Sequence, residues 1–466
     1  MPTVELSSTA NTQKTSAPIS ITPITSSTFM LPEVSEEVMH ELMNRPLATI
    51  PKLTVNSTTW RLFGQALQAA LEQALKNNWS WLYALPQLVL WAPPARFTAG
   101  HIGKRIRLLQ SGDVVSLFNH WKEERRRRDQ RIVNKESGDD EDTSRSTTRR
   151  RAAAISALAE GYPGVALRRL DQKSQLTPAE AYRKLKNLHP SEPEAEEFEV
   201  ASGTNVELST ELCNKMLMKV PTISAPGPSG LRSSHLKPLL YASVDDRVLA
   251  QVLTKIANGS APNWMRMARL IGIEKPNGGA RPIAIGEILR RLAASALNEC
   301  FLSGDHVRLT NQLSVIKDGA LIGAYVIKRC IQLGLSVVML DTTNAFNSLL
   351  RKKLLQHTKN TQLEGYTTWA YSKHSELILG NDHRILSQRG VQQGDPLGMT
   401  LFCVALADPL DRCRTKHTRV HIISYADDIF VIGEIFDVDA CIVDLEQELS
   451  DYGLSLNPRK CTVAYD

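Results

Sequence analysis

His421-Ile422-Ile423-Ser424-Tyr425-Ala426-Asp427-Asp428-Ile429-Phe430-Val431-Ile432-Gly433 is the stretch whose reading decides the fold. Two short runs of β-branched and aromatic residues flank an acidic pair, a pattern that predicts two strands joined by a tight turn. Asp427 and Asp428 then stand at the tip of a hairpin. Two anions side by side repel each other unless a cation neutralises them, and oxygen ligands suit a hard divalent ion. A solvated Asp-Asp turn accounts for these residues equally well, because Asp is a favoured turn former. The rest of the chain has to decide.

Working backwards, Ser336-Val337-Val338-Met339-Leu340-Asp341 reads as a buried strand ending in a carboxylate. The path from Asp341 to Asp427 is long and helical enough to lay the two strands side by side. Adjacent strands would gather Asp341, Asp427 and Asp428, where they could hold two divalent ions. Such a pair can activate an attacking hydroxyl and stabilise a leaving pyrophosphate. Further upstream, Leu270 to Ile285 predicts a hairpin around Asn277-Gly278, with Lys275 and Arg281 beside its tip. Those cations can clamp phosphates or simply face solvent. Together the pieces point to nucleotidyl transfer.

The remaining chain divides by composition. Residues 1–35 are rich in Ser, Thr and Pro and are expected to be disordered. Residues 36–121 carry helical periodicity, with a break expected at Leu85-Pro86. Residues 122–151 hold the arginine runs Arg125–Arg128 and Arg149–Arg151 around an acidic run, and predict a charged flexible linker. These arginines could contact RNA, direct nuclear import or serve only as a solvated linker. Residues 152–207 form a helical connector, with a capping-box start at Thr177-Pro178-Ala179-Glu180. Residues 208–466 read as continuously structured.

Composition narrows the class. The net charge of +6 suits a polyanionic partner without requiring one. Seven scattered cysteines with no C-x-x-C pair argue against structural zinc and a disulfide framework, and for a reducing compartment. No apolar run is long enough to span a membrane, and the N-terminus has no signal core. The expectation is an intracellular protein, nuclear or cytoplasmic with the nucleus preferred, that engages no membrane. Nothing in the sequence sets its oligomeric state.

From Ala225 to Asp466 the chain resembles the reverse transcriptases of non-LTR retrotransposons, with several motifs in the family's order. Leu340 to Asn347 looks like motif A, Gln393 to Leu397 like motif B, Tyr425 to Asp428 like motif C and Gly453 to Lys460 like motif D. Lys275-Pro276 with Arg281-Pro282-Ile283 resembles the fingers hairpin, and Pro226 to Gly230 an extra N-terminal motif of this group. The resemblance implies an α+β right-hand polymerase, with fingers and an antiparallel palm sheet at 208–466 behind a mainly helical N-terminal region. Its activity would be RNA-directed DNA synthesis on an RNA template and a DNA primer, using dNTPs and two Mg2+ ions, with Mn2+ as a substitute.

The implied roles follow motif by motif. Asp341, Asp427 and Asp428 would be metal ligands and catalytic residues. Phe346 would be the steric gate against a 2′-hydroxyl, or else a core ring at a strand end. Gln393 and Gly394 would contact nucleotide and template, or Gln393 would merely cap a helix. Lys275 and Arg281 would hold the triphosphate, and Tyr425 would support the primer end. Lys460 would be a proton donor to pyrophosphate, or an ordinary exposed lysine. Ser229 stands where many relatives carry an acid, and Gly398 replaces a small hydroxyl residue. The sequence stops just after motif D, which predicts a truncated product lacking the thumb. Two other readings stay open: an inactive remnant that only binds nucleic acid, and an RNA-dependent RNA polymerase.

Overall fold

The structure is a computed structural model that describes residues 30–44, 58–91, 99–136, 142–159, 161, 163–170, 176–193, 205–241, 247–304, 309, 311–380 and 383–465. Eight strands make two four-stranded sheets among these residues. They are β1 (Ala268–Glu274), β2 (Ala280–Gly286), β3 (Ser336–Leu340), β4 (Ser375–Leu379), β5 (His383–Ser387), β6 (His421–Tyr425), β7 (Asp428–Gly433) and β8 (Thr462–Ala464).

The first sheet has the order β2-β1-β4-β5. β1 and β2 form the hairpin that Asn277-Gly278 predicts, with Ile273 opposite Arg281. β4 and β5 form a second hairpin, and a short parallel pairing of Ala268 with Leu377 joins the two. The helix Pro178–Leu185 covers this sheet and buries Ala181 and Leu185 against Leu270, Leu377 and Ile385. Its capping box is present as predicted: Glu180 N donates to Thr177 Oγ1, and Thr177 N donates to the Glu180 carboxylate.

The second sheet has the order β6-β7-β3-β8, antiparallel throughout. β3 pairs with β7 so that Leu340 faces Ile429, which brings the strand end before Asp341 beside the start of β7. One side of the sheet is packed by helices, including Ile435–Ser450, whose buried positions Val438, Cys441, Leu445 and Leu449 follow the 3–4 spacing of an amphipathic helix.

The N-terminal helices share one continuous core with the sheet that carries the carboxylates. Trp60, Phe63 and Leu67 on helix Thr58–Leu75 join Leu249, Leu253 and Ile256 on helix Arg247–Ala257, which packs against it.

Three expectations change. Leu31 and Val34, within the stretch expected to be disordered, are buried, and Pro32 O accepts a bond from Trp81 Nε1 at 2.6 Å. Leu31 O likewise accepts from Gln73 Nε2 at 2.9 Å, so two apolar side chains and two carbonyls dock that short segment. Residues 1–29 lie outside the description. Pro86 does not end its helix, which runs Ser80–Val89. The run of buried residues around it gives more apolar contact than the one lost N–H costs, though the proline costs about 3 kcal/mol in an exposed helix. Arg125–Arg128 lie in a helix, Val114–Glu136, not in an irregular linker. Leu117, Trp121 and Arg125 recur every fourth residue on its buried side, and Glu123 pairs with Arg126 and Arg127 at helical spacing. Residues 142–151 belong to a further helix, Asp142–Ala159.

Candidate active site

The acidic turn differs by one residue from its sequence reading. Tyr425 pairs with Asp428, so the two turn residues are Ala426 and Asp427, and Asp428 opens β7. Ala426 adopts φ 56°, a left-handed conformation that costs an L-residue roughly 1–2 kcal/mol. Gln312 holds it there. Its buried side chain accepts from Ala426 N at 2.7 Å and donates to Ala426 O at 3.4 Å. A two-residue hairpin with positive φ in its turn follows the right-handed strand twist, so the clamp keeps the carboxylates at the tip.

Asp341 follows β3 directly, and the chain after Leu454 is stitched to it. Thr343 N donates to Ser455 O at 2.8 Å, Asn457 N donates to Asp341 O at 2.8 Å, and Thr342 bridges Leu456. These bonds deliver Lys460, whose ammonium lies 3.1 Å from Asp341 Oδ2 and 3.3 Å from Oδ1.

Burial is the first cause that raises the pKa of Asp427, and the neighbouring Asp341 carboxylate adds to it. Burial again leads for Asp428, followed by Asp427 and Asp341. The three carboxylates therefore sense one another, with Lys460 opposing the repulsion on both. Three oxygen anions are the donor set of a hard divalent cation. Among the described residues, however, no three His, Cys, Asp or Glu side chains converge as they do around a metal ion. The donor chemistry fits such an ion; the side chains are not drawn together around one.

A cleft of about 970 Å³ opens beside these residues. Asp341, Asp427, Asp428 and Lys460 line it from the side of the β3–β7 sheet, Lys275 and Arg281 from the β1–β2 hairpin, Phe346 from the short helix Ala345–Ser348, and Gln393 and Gly394 from the loop before residue 398. Tyr425 is not part of the lining; its side chain is exposed beside the turn. The Phe346 ring stacks on Phe402 with centroids 4.7 Å apart, so it is braced from behind while it faces the cleft. Gln393 O accepts from Ala284 N on β2 at 2.7 Å. Gly394 has φ 132°, and a Cβ there would collide with the Ala284 carbonyl, so this position requires glycine.

Several lining residues have no signal in the motifs. Arg183, Lys184 and Asn187 come from the helical connector and form a further wall. Asn344, at φ 51°, ties that wall to motif A by donating to Leu188 O at 2.9 Å. The capping box locates the helix in sequence, but nothing there tells which sheet it covers. Ser229 finds its partner in Glu287: Ser229 Oγ donates to Glu287 Oε2 and Ser229 N to Oε1, both at 2.6 Å. A carboxylate at position 229 would face a second carboxylate, which explains the compatibility of a hydroxyl here.

A four-stranded antiparallel sheet with carboxylates at neighbouring strand ends, facing a basic hairpin across a cleft, matches what the motifs imply for a nucleotide polymerase. Residues 273–466 match the family model described as reverse transcriptase (RNA-dependent DNA polymerase), and over this span the chain carries a reverse transcriptase domain. Its distant relatives are proteins of non-LTR retrotransposons. The chain is 24% identical over 269 residues to a retrovirus-related Pol polyprotein from the type-1 retrotransposable element R2 of Nasonia vitripennis, covering 51% of this chain and 25% of that protein. It is also 24% identical over 245 residues to the retrotransposable element SLACS 132 kDa protein of Trypanosoma brucei gambiense, covering 47% of this chain and 20% of that one. The match thus spans a quarter or less of each relative's length. Among the described residues no helix is long and apolar enough to cross a membrane.

Proposed function

We propose that the chain acts as an RNA-directed DNA polymerase, adding deoxynucleotides to the 3′-hydroxyl of a DNA primer on an RNA template. The observation that carries this reading is the shared cleft, which gathers three carboxylates, the hairpin cations, Phe346 and the Gln393–Gly394 loop.

Asp341 and Asp427, with Asp428, would hold two divalent ions, Mg2+ or Mn2+. When bound, these supply charge neutralisation at the attacking and leaving oxygens. The residues of the chain do the rest. Lys275 and Arg281 bind the triphosphate and orient it across the cleft. Phe346 fills the space that a 2′-hydroxyl would need. Gln393 and Gly394 fix the nucleotide and template, and Tyr425 supports the primer end from outside the cleft. A bond forms between the primer oxygen and the α-phosphorus as the bond to the β-phosphate oxygen breaks. The hydroxyl proton passes to solvent, and Lys460 gives a proton to the departing pyrophosphate.

Phe346 favours this reading over RNA synthesis, because its ring lines the cleft and is stacked on Phe402. A fingers-and-palm unit at 208–466, an intracellular and preferably nuclear location, and nucleic-acid contact by the arginine runs belong to the same proposal. Primer extension by the full chain on an RNA template tests it. Magnesium-dependent dNTP incorporation that disappears in Asp427→Ala supports it. Retained RNA binding with no incorporation would instead identify a chain that only binds nucleic acid.

A further inference from the structure

Beneath the Gln393–Gly394 loop lies a buried charged network that the reaction itself does not use. Arg290, on helix Ile288–Leu302, pairs with Asp395 at 2.8 Å, and both side chains are almost fully buried. Asp395 Oδ2 also accepts from Tyr366 Oη at 2.9 Å and from Tyr371 Oη at 2.7 Å, and its Oδ1 accepts from Leu397 N at 3.0 Å. Arg290 spends its other donors on Tyr366 Oη, Arg266 O and Gln392 Oε1, at 3.1, 2.9 and 2.9 Å. Gln392 Nε2 in turn donates to Ser375 Oγ at 3.0 Å and to Arg266 O at 3.2 Å.

The placement of these partners is what matters. Gln392 and Asp395 bracket Gln393 and Gly394. Arg266 stands just before β1, Ser375 opens β4, and Arg290 follows β2. The loop is gripped on both sides by the network, while its middle is hydrogen-bonded to β2 through Gln393 O. Buried ion pairs seldom stabilise more than apolar packing of the same volume would, but they enforce one geometry. Burial pushes the pKa of both tyrosines up, so each remains a hydroxyl donor at physiological pH.

We propose that Arg290, Asp395, Tyr366 and Tyr371 are positioning residues for the nucleoside triphosphate: they fix the Gln393–Gly394 peptide against β2 and thereby set affinity for the incoming nucleotide. This inference rests on the polymerase reading and goes beyond it by assigning nucleotide affinity to groups that never touch the nucleotide.

The test uses the full chain and the variants Tyr371→Phe, Tyr366→Phe and Arg290→Met. KM and kcat for single-nucleotide addition are measured together with dNTP binding to a complex whose primer ends in a dideoxynucleotide, dissociation of the primer–template, and thermal melting. Each Tyr→Phe change removes one hydroxyl from Asp395 and keeps the ring. It is expected to raise KM and the dNTP dissociation constant about 3- to 10-fold, the scale of one ordinary hydrogen bond felt at the nucleotide through the loop. The same variants leave kcat and primer–template affinity within about 2-fold. Unchanged dNTP affinity in both folded Tyr→Phe variants overturns the inference, even if Arg290→Met fails to fold. So does a fall in kcat at constant KM. If the unaltered chain binds no dNTP in the dideoxy-terminated complex, the polymerase reading fails and takes this inference with it.

Discussion

Lys460 and Asp341, 119 residues apart, form an ion pair in which one ammonium spans both carboxylate oxygens, at 3.1 and 3.3 Å. A divalent ion bound at Asp341 must share or displace that contact. Lys460→Met should therefore lower the magnesium concentration needed for half-maximal incorporation. It should also reduce kcat by roughly 100-fold, the lower end of what a positioned proton donor contributes. Magnesium titrations of single-nucleotide addition read both effects. An unchanged magnesium requirement would show that the pair does not compete with metal.

The acidic cluster is held against its own repulsion, and stability should show it. Burial first, then neighbouring carboxylates, place the pKa of Asp427 and Asp428 above the ordinary value. Between the unfolded and folded values the native state binds more protons, so stability falls as pH rises through that window, and the deficit persists at neutral pH. Without divalent metal, Asp427→Asn should melt above the unaltered protein at pH 7. The gap should close as the pH falls below about 4, the ordinary range of an aspartate. Melting curves across that range, with and without magnesium, measure the difference. A lower melting temperature for the variant at pH 7 contradicts the expectation.

Sugar selection should depend on two rings. Phe346→Ala removes the wall in the cleft and should raise ribonucleotide use relative to dNTPs by about 10- to 200-fold, the scale of a pocket contact worth 1–3 kcal/mol. Phe402→Leu, which leaves Phe346 in place but takes away its stacked support, should give a smaller shift in the same direction. Competition between ATP and dATP on one template position provides the ratio. Unchanged selection in Phe346→Ala removes the argument against an RNA-synthesising enzyme.

Gly394→Ala tests the close approach of loop and hairpin. Its new Cβ meets the Ala284 carbonyl and its φ of 132° suits glycine alone, so the loop must move off β2 or strain. The variant should be destabilised by about 1–3 kcal/mol, the usual cost of an unfavourable backbone region, and should lose most of its dNTP affinity. Denaturant melts and nucleotide binding together check this. Native affinity in the variant would show that the loop is not confined as described.

Much of this site is legible in the sequence because its signals are local. The continuous apolar runs Val337–Leu340 and Ile429–Ile432, the Asn277-Gly278 turn and the apolar spacing of Ile288–Leu302 each specify an element without help from the rest of the chain. The turn at Ala426-Asp427 lies one residue away from its reading because its strained residue is held by Gln312, more than a hundred residues upstream. Arg290, Asp395, Tyr366 and Tyr371 were invisible for a related reason. Their value lies in mutual contact, and buried Arg and Asp look like surface residues until partners are known. The helix at Arg125 shows the converse error: a dense charge run reads as solvated, yet its Glu–Arg pairs and a buried stripe at every fourth residue support a helix. The wall formed by Arg183, Lys184 and Asn187 depends on which sheet the connector covers, a long-range choice that no local pattern encodes.

The most direct test of the central claim is the rate of a single dNTP addition by Asp341→Asn, measured on a pre-formed RNA template and DNA primer complex at saturating magnesium. Asparagine keeps the shape of the side chain and removes its charge. If Asp341 is part of the metal-dependent centre, the rate should fall by roughly 1,000-fold or more, equivalent to about 4 kcal/mol at the transition state, with primer–template affinity retained. Addition at the rate of the unaltered chain would contradict the account.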